Sequence, residues 1–227
     1  MYAVYVSTSV PRTPLDRGRI VAAAIELADE AGLEATSMRR VAERLGVTPM
    51  ALYKHVAHRS QLVDDMLDAL LARIPAAAQG ADWRSSVRAR ILAARTLLSA
   101  HPWARDAIES SPLATARVLA HMDALMGAMF DGGLSADLVH HAMHTLSTRM
   151  WGFTRDVMPT PRLPDDAEQR AAAMSAYARE FPSIVRMAAT APGAGTDCDD
   201  DAEFAFALDL LLEGVEQRRV SGWRSDR

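Results

Sequence analysis

The sequence predicts an all-α protein in which an N-terminal three-helix helix-turn-helix domain precedes a larger helical domain. Three features favour this class. Apolar residues recur at helical spacing along most of the chain, glycines follow several of these segments as helix ends, and alternating strand-like patterns are almost absent. With 227 residues, of which 49% are hydrophobic and 24% charged, the chain can bury a core of one domain or two modest ones.

The first three helices are marked by their caps. The apolar face of the first helix consists of Ile20, Ala24, Leu27 and Ala31. Gly32 follows this helix as its C-terminal cap, and Ser37 stands before the second helix as an N-cap. Gly46 ends the second helix. Thr48 is the expected cap of a third helix, with Pro49 in its first turn, where the missing N–H costs nothing.

The second and third helices are separated only by a tight turn, which predicts a helix-turn-helix resting on the first helix. Leu52 and Val56 point inward, and the outer face of the third helix carries Pro49, Met50, Ala51, Tyr53, Lys54 and His55. Such a face can reach phosphates and thymine methyl groups in a major groove. A corner between two helices of an all-helical enzyme would show similar caps, so periodicity alone leaves both readings open.

The run "LDRGRIVAAAIELADEAGLEATSMRRVAERLGVTPMALYKHVAHRSQLVDDML" closely resembles the DNA-binding domain of the TetR family of transcriptional regulators, mainly through "GLEATSMRRVAERLGV" and "LYKHV". More loosely, "GGLSADLVHHAMHTLSTRMWGF" resembles the C-terminal domain of the tetracycline-repressor branch. The resemblance implies a homodimer with an N-terminal DNA-binding domain and a larger helical effector-binding and dimerisation domain. It also implies repression that a small molecule relieves, although activation stays open.

The resemblance also implies which residues contact DNA. The DNA-binding candidates are Ser37, Met38, Arg39, Thr48, Pro49, Met50, Ala51, Tyr53, Lys54 and His55. Tyr53 and His55 match positions that bind phosphate. The candidates for base contacts are Arg39, Met50, Ala51 and Lys54. One departure is His58, at a place where Ser, Asn or Asp often caps the fourth helix, so we expect that helix to start less firmly.

Charge is distributed unevenly along the chain. The net charge is −4, but residues 1 to 59 carry eight basic and six acidic residues, and the remainder carries −6. The N-terminal end is thus the better one to face phosphates. No apolar run approaches the roughly 20 residues that span a bilayer, no signal peptide is evident, and Cys198 is the single cysteine. These features predict a cytoplasmic protein without a membrane partner.

The predicted domains are a flexible arm over 1–14, the helix-turn-helix domain over 15–59, the effector-binding and dimerisation domain over 60–220, and a tail over 221–227. Further helices are expected at 82–100, 112–131, 135–157, 165–180 and 202–219, separated by proline and glycine punctuation. Arg12 and Arg17 could follow a DNA backbone or enter a minor groove.

Two of the later helices carry apolar stripes suited to a partner helix. The stripes consist of Val139, Met143, Leu146, Met150, Phe153 and Val157 and of Phe204, Leu208, Leu211 and Val215. The resemblance favours pairing with a second copy in a four-helix bundle, so that the operator is an inverted repeat. The alternative is that both stripes face the core of their own chain.

An aromatic and methionine-rich set in the second half predicts an adaptable small-molecule pocket. Its members are Trp103, His121, Met122, Met126, Met129, Met143, His144 and Trp151. Each could equally be an ordinary core residue. His140 and His144, four residues apart, allow an alternative: an all-helical metal-dependent enzyme. No Glu or Asp lies between them and no nucleophile–base arrangement is visible, so we expect no catalytic centre, resident metal or cofactor.

Overall fold

The computed structural model describes residues 14–76, 78, 80–110, 114–147, 149–153, 164–190 and 199–225. Within these ranges no residue lies in a β-strand, and the chain forms eleven α-helices. Their bounds are α1 Arg17–Ala31, α2 Met38–Leu45, α3 Pro49–Leu52, α4 Arg59–Leu71, α5 Trp83–Ser99, α6 Trp103–Ser110, α7 Ala116–Asp131, α8 Ala136–Thr145, α9 Ala167–Glu180, α10 Pro182–Thr190 and α11 Asp200–Val220. The predicted all-α class is confirmed. None of the described helices is long and apolar enough to cross a membrane.

The three N-terminal helices begin and end close to where their caps predict. Asp16 accepts the backbone N–H of Arg19 at the start of α1, and Gly46 takes the left-handed conformation (φ 65°) at the end of α2. Helix α3 is shorter than expected and ends at Leu52, and Thr48 makes no side-chain hydrogen bond at its start. The expectation that His58 caps poorly is wrong, because its Nδ1 accepts the backbone N–H of Gln61 at 3.1 Å.

Helix α4 connects the N-terminal helices to those that follow. It packs against α1 on one side and against α5, α6 and α7 on the others. Its inward face is apolar and consists of Leu62, Met66, Leu67, Leu70 and Leu71. Helix α5 packs most extensively against α7. A shift of α4 relative to α7 would therefore be felt directly at α1.

After α5, two of the predicted helix boundaries are wrong and two helices were not predicted. The segment expected to be one helix over 112–131 begins only at Ala116, where Thr115 is the N-cap, and α6 precedes it as a separate helix. The helix expected over 135–157 ends at Thr145, and the described residues 146–147 and 149–152 form turns; residues 148 and 154–157 of that prediction lie outside the described residues. Helix α10 was not predicted. The reason at α8 is tertiary: backbone carbonyls of the turn bond to side chains of α5 and α7 rather than continuing the helix.

By packing, the described residues fall into two compact units. One contains those within Met1–Phe153 and Gly214–Arg227, and the other those within Thr154–Glu213. In the first unit, the end of α11 is tied to α5, since Trp83 Nε1 donates to Glu216 Oε2 at 3.0 Å and Arg219 makes two further hydrogen bonds to Glu216. These bonds, led by that of Arg219, lower the pKa of Glu216 to about 2. In the second unit, α9 packs against α10. These two units do not coincide with the predicted domains, and the predicted domain boundaries stay a prediction.

Candidate nucleic-acid interface

The surface that α3 turns to solvent is the candidate nucleic-acid interface. Leu52 and Val56 are buried beneath it, as predicted, and they fix which side of the segment faces outward. Met50 is 70% exposed and Tyr53 is 46% exposed. The remaining α3 candidates divide into exposed Thr48, Pro49 and Lys54 and half-buried Ala51 and His55. The segment thus offers apolar groups, one phenol and one ammonium to a groove.

Lys54 has a feature that the motif did not reveal: it is the only lysine among the 227 residues. It is exposed and lies just after α3. A lysine presents a compact, strongly hydrated point charge, which suits a phosphate contact as well as a base edge. A reagent specific for side-chain amines would therefore act on the candidate interface and on no other side chain.

At the start of α2 the three candidates have different environments. Ser37 is half-buried, and its hydroxyl oxygen accepts the backbone N–H of Arg40, so this side chain serves as the N-cap. Met38 is buried in the core, and the prediction that its side chain contacts DNA is wrong for this structure. Arg39 is exposed, and its Nε donates to Glu43 at 2.8 Å across one helical turn, which raises the pKa of Arg39.

The turn that precedes α2 is held by a residue that motif reading missed. Arg59 at the start of α4 donates to the carbonyl oxygens of Thr36 and Leu33 at 2.9 and 2.6 Å. Because these contacts join residues 23 and 26 positions apart, no local pattern announces them. The guanidinium fixes where α2 begins and so positions Ser37 and Arg39.

A second connection joins α1 to the start of α6. Asp29 Oδ1 accepts from Trp103 Nε1 at 2.7 Å and lies 2.8 Å from His101 Nδ1. Trp103 is buried, and its indole N–H is directed to α1. The prediction of Trp103 as a pocket residue gains no support from this contact. Instead, the indole ties the DNA-binding region to the helices that follow.

The eight pocket candidates occupy different environments in the structure. Trp103, His121, Met129 and Trp151 are buried, Met122, Met126 and Met143 are half-buried, and His144 is exposed. A cavity of about 500 Å³ is found between α1 and α4, beside the ion pair of Arg17 with Asp65. None of the eight candidates lines that cavity. The assignment of these side chains to a ligand pocket therefore stays a prediction.

Two of the pocket candidates, His121 and Trp151, do contact each other. Their rings are stacked, with centroids 4.5 Å apart and an interplanar angle of 22°. His121 is 1% exposed, and its Nε2 lies 2.8 Å from the carbonyl oxygen of Met150. Burial lowers the pKa of His121 to about 4, with a smaller contribution from the charge of Arg90. At neutral pH this imidazole is uncharged.

The histidines of α8 lie together on the surface. The rings of His140 and His144 are 4.6 Å apart between centroids, and that of His141 contacts Trp223. Both His140 and His144 are exposed. In the described part of the chain, no group of three or more His, Cys, Asp or Glu side chains could hold a metal ion. The described residues therefore supply no third metal ligand beside His140 and His144, and the alternative of a metal-dependent enzyme gains no support from them.

The predicted dimer-interface residues mostly face the core of their own chain. Val139, Leu146, Met150, Phe204, Leu208 and Val215 are buried within the single chain. Phe153 and Leu211 are half-buried, and Val157 lies outside the described residues. The assignment of these six side chains to a partner therefore gains no support from the single chain and stays a prediction, because periodicity shows that a face is apolar but not what covers it.

Two family models match this chain. The model described as "Bacterial regulatory proteins, tetR family" matches residues 20–66, and "Tetracyclin repressor-like, C-terminal domain" matches residues 74–219. The first spans α2 and α3 and reaches into α1 and α4. The second begins after α4 and ends within α11. Together they cover most of the chain.

Individual relatives agree with these models. The HTH-type transcriptional repressor DrrR1 of Streptomyces coeruleorubidus is 27% identical over 91% of this chain and 79% of its own length. The tetracycline repressor protein class C of Escherichia coli is 28% identical, over 91% and 93%. The crystal structure of apo ActR from Streptomyces coelicolor superposes with a TM-score of 0.67 at 28% identity, over 93% of this chain and 99% of ActR. ActR in complex with actinorhodin gives a TM-score of 0.64 at 27% identity, over 91% and 99%.

Proposed function

Because this chain belongs to the TetR family of bacterial regulatory proteins, we propose that it represses transcription as a homodimer that binds an inverted-repeat operator and releases it when a small effector binds. That it is a ligand-responsive DNA-binding transcriptional repressor follows from the family and its repressor relatives. Since a repressor acts on DNA, we place the protein in the cytoplasm. It requires no catalytic centre for this activity.

One observation carries the DNA-binding part of the proposal: the outward side chains in and just after α3 are exposed and do not pack in the core. Met50, Tyr53 and Lys54 are exposed there, while Leu52 between them is buried. In helix-turn-helix proteins the second helix enters the major groove and its outer side chains reach base edges and phosphates. We assign Tyr53 to phosphate, and Met50 and Lys54 to the groove.

The operator geometry follows from the two-fold axis of the proposed homodimer. The two α3 helices would enter successive major grooves about 34–36 Å apart, so the half-sites of the operator would be inverted and one helical turn apart, centre to centre. A spacing longer by a whole turn would keep both half-sites on the same side of the duplex but would exceed the separation of the two helices. A half-turn insertion would place the second half-site on the opposite side of the duplex.

The proposed partner surface is the outer face of α11, opposite the buried Phe204 and Leu208. Phe206 and Leu210 are 63% and 53% exposed on that face, and Val220 follows on the same side. Exposed aromatic and aliphatic groups in helical register suit a second copy of the chain. Phe206→Glu and Leu210→Glu should give monomers in sedimentation equilibrium, whereas Glu203→Gln on the same helix should stay dimeric. Dimeric glutamate variants would argue against this face.

The release of the operator is proposed to pass through α4 and α6. Helix α4 contacts α1 as well as α7, and Asp29 joins α1 to the start of α6. The relatives give the precedent, since ActR has been crystallised with actinorhodin bound. An effector that favours one arrangement of α6 and α7 would shift α1 and weaken one operator geometry.

The first test is titration of the protein against DNA from upstream of its own gene, followed by fluorescence anisotropy at several salt concentrations. Saturable binding that weakens steeply with salt is expected. Tyr53→Ala and Lys54→Ala should each weaken binding roughly tenfold or more, and Lys54→Ala should reduce the salt slope by about two, because each protomer of the proposed homodimer contributes one lysine charge. Arg179→Ala, which removes an exposed cation on α9, is the matched control and should change neither value.

The single lysine permits a second, independent arm of the same test. Acetylation of side-chain amines should weaken operator binding by the wild type about as much as Lys54→Ala does, because it removes the charge of Lys54. Lys54→Arg keeps a positive charge and carries no amine, so its binding should survive the same treatment. Equal sensitivity of both proteins would show that Lys54 is not at the interface.

A further inference from the structure

The cavity between α1 and α4 lies apart from the residues assigned to DNA and from the predicted ligand pocket, since no member of either set lines it. Its volume of about 500 Å³ falls within the range of small-molecule sites in proteins. Six small or apolar residues and four charged residues line it. This combination of an apolar wall and fixed charges suits a small amphipathic ligand.

The apolar wall is open because several of its residues are small. Val21 and Leu70 are buried, and Ile25 is half-buried. Ala22 and Ala69 are exposed and carry only a methyl group, so they do not fill the space between the two helices. An apolar ligand group that enters this space is removed from water, which favours binding. The wall therefore selects ligands with apolar side chains.

Two of the four charged residues satisfy each other. The Nε and Nη2 atoms of Arg17 donate to the two carboxylate oxygens of Asp65, each at 2.7 Å. This bidentate contact raises the pKa of Arg17. The pair joins α1 to α4 beside the cavity and presents no net charge to it. A charged ligand group must therefore be answered by the other two residues, Asp68 and Arg73.

Asp68 and Arg73 are not paired, either with each other or with another charge in the described part of the chain. Asp68 is half-buried, and its Oδ1 accepts from Thr115 Oγ1 at 2.5 Å. Its second carboxylate oxygen keeps its capacity to accept. Arg73 is exposed, and within the same ranges its side chain makes no hydrogen bond. The cavity thus offers one negative and one positive group to a ligand.

The two charges differ in the ligand group that each attracts. Burial, together with the charges of Asp68 and Asp65, raises the pKa of Asp64, so negative charge accumulates on this side of α4. An ammonium is attracted there. The guanidinium of Arg73 lies beyond the end of α4, and its fork of donors suits a carboxylate. A ligand that satisfies both residues is therefore a zwitterion.

The spacing of the two charges sets the length of that zwitterion. Asp68 lies in the last turn of α4, and Arg73 follows five positions later, just past the helix end. At 1.5 Å per residue, this spacing corresponds to about 7–8 Å along the helix axis. An extended chain spans about 3.3–3.6 Å per residue, so the charged ends of a dipeptide lie about 7 Å apart. A single amino acid spans only half of this distance.

We propose that the cavity between α1 and α4 binds a dipeptide with apolar side chains, whose ammonium pairs with Asp68 and whose carboxylate pairs with Arg73. This inference goes beyond the proposed function, because it assigns a separate ligand site and requires no operator. Asp68 also holds the hydroxyl of Thr115, the N-cap of α7. The bound ammonium would therefore share its carboxylate with the first residue of another helix.

Three matched compounds test the two charges on the full chain without DNA. The probes are L-phenylalanyl-L-leucine, 3-phenylpropionyl-L-leucine, which lacks only the ammonium, and L-phenylalanine 3-methylbutylamide, which lacks only the carboxylate. Each is titrated by isothermal calorimetry at pH 6.5, where the α-amino group is protonated. We expect the dipeptide to bind roughly tenfold tighter than either derivative, the effect of one charge-assisted hydrogen bond.

Two variants separate the roles of the charged residues. Asp68→Asn keeps an oxygen for Thr115 and removes the charge, so the dipeptide should fall to the affinity of 3-phenylpropionyl-L-leucine, whose own affinity is unchanged. Arg73→Gln should lower the dipeptide to the affinity of the amide and leave the amide unchanged. Arg117→Gln, an exposed change on α7, is the control and should preserve every value.

A third variant tests whether binding takes place in this cavity. Ala22 is exposed at the cavity wall, so Ala22→Trp fills the space from the surface without changing the core. All three compounds should then bind at least tenfold more weakly. Unchanged binding would place the compounds elsewhere on the protein and overturn the proposal. Melting curves by circular dichroism establish that each variant is folded.

The wild type alone can also overturn the proposal. Equal affinities of the dipeptide and either derivative, or no binding of the dipeptide up to its solubility limit, would each do so. A protein that binds the dipeptide as expected but binds no DNA would refute the proposed function alone. A protein that binds its operator but does not distinguish the three compounds would refute this inference alone.

Discussion

The helix-turn-helix region and the bundle of α5 to α8 use polar side chains in opposite ways. In the first, Arg39 and Lys54 are exposed, and the contacts of Ser37 with Arg40 and of Arg39 with Glu43 join residues that are close in sequence, whereas Arg59 reaches the more distant carbonyls that hold the turn before α2. In the second, buried Arg95 and His121 bond to carbonyls 57 and 29 residues away. We interpret the difference to mean that the exposed polar side chains of the first region are available to an external partner. In the second, the same chemistry fixes the fold.

The largest expected effect comes from Gly152, whose carbonyl accepts from Arg95. Its φ is +73°, and a Cβ at this position would lie 2.2 Å from Arg95 Cβ and 2.3 Å from Arg95 Cα. The neighbour is helix backbone and cannot move aside. Gly152→Ala should destabilise the protein by about 3 kcal/mol or more, from the clash and the left-handed conformation together. Chemical denaturation measures this loss.

Gly133→Ala is the matched control for that substitution. Gly133 has a similar φ of +79°, but a Cβ there would meet nothing within 4 Å. We expect a loss of about 1 kcal/mol from the backbone conformation alone. Similar losses for the two alanines would mean that the turn after α8 is not clamped against α5, and the contrast between the two regions would weaken.

The second expected effect is a pH dependence specific to the bundle. The pKa of His121 is about 4 in the folded protein and 6.5 as the ordinary value, so the unfolded chain takes up the proton first as pH falls. The free energy of unfolding should therefore fall between pH 7 and pH 4, by about 3 kcal/mol from this group. His121→Phe removes the titration. The difference in slope between wild type and variant, read from urea unfolding at each pH, isolates it from the carboxylates.

Parallel stability curves for wild type and His121→Phe would contradict the burial of a neutral imidazole.

The third expected effect concerns Asp29, where the two regions meet. Asp29→Asn removes the charge that holds the His101 ring and the buried Trp103 N–H, so a loss of about 1–2 kcal/mol is expected. Trp103→Phe should cost a similar amount, and the double variant should cost less than the sum, because the two share one interaction. Asp123→Asn, an exposed change on α7, should have no effect. Additive losses in the double variant would show that the two side chains do not cooperate.

The helix-turn-helix region and the later helices also differ in how much of their structure could be predicted from the sequence. The N-cap Ser37, the C-cap Gly46 and Pro49 in the first turn of α3 are local signals. The positions of α2 and α3 were therefore predictable, and so was the outward face of α3. Met38 was misassigned because a motif match names positions and not burial. The candidate DNA contacts in and after α3 lie within one short segment, where positions close in sequence are also close in space.

In the helices after α4, the sequence predicted which positions are apolar or aromatic but not which residues surround them. The apolar stripe through Phe204 and Leu208 was predicted as a dimer face, whereas these side chains are buried and Phe206 and Leu210 are exposed. His121 and Trp151 were predicted in one set and do contact each other, yet nothing in the sequence states that the carbonyl of Met150 fixes the tautomer of His121. Contacts between residues tens of positions apart depend on how helices pack, which periodicity does not specify.

The smallest expected effect on stability is that of the pair of Arg39 and Glu43. The same pair tests whether the exposed polar groups of the helix-turn-helix act in binding rather than in folding. Both side chains are largely exposed, and exposed pairs one turn apart on a helix contribute little to stability. Glu43→Gln should therefore leave the unfolding midpoint unchanged. The same change frees the Arg39 guanidinium and removes a negative charge beside the operator, so operator affinity should rise a few-fold, more at low salt than at high salt. Arg39→Gln should lower affinity with equally little change in stability. If either variant instead shifted the unfolding midpoint and left the anisotropy titration unchanged, the exposed polar groups of the helix-turn-helix would be structural like those of the bundle.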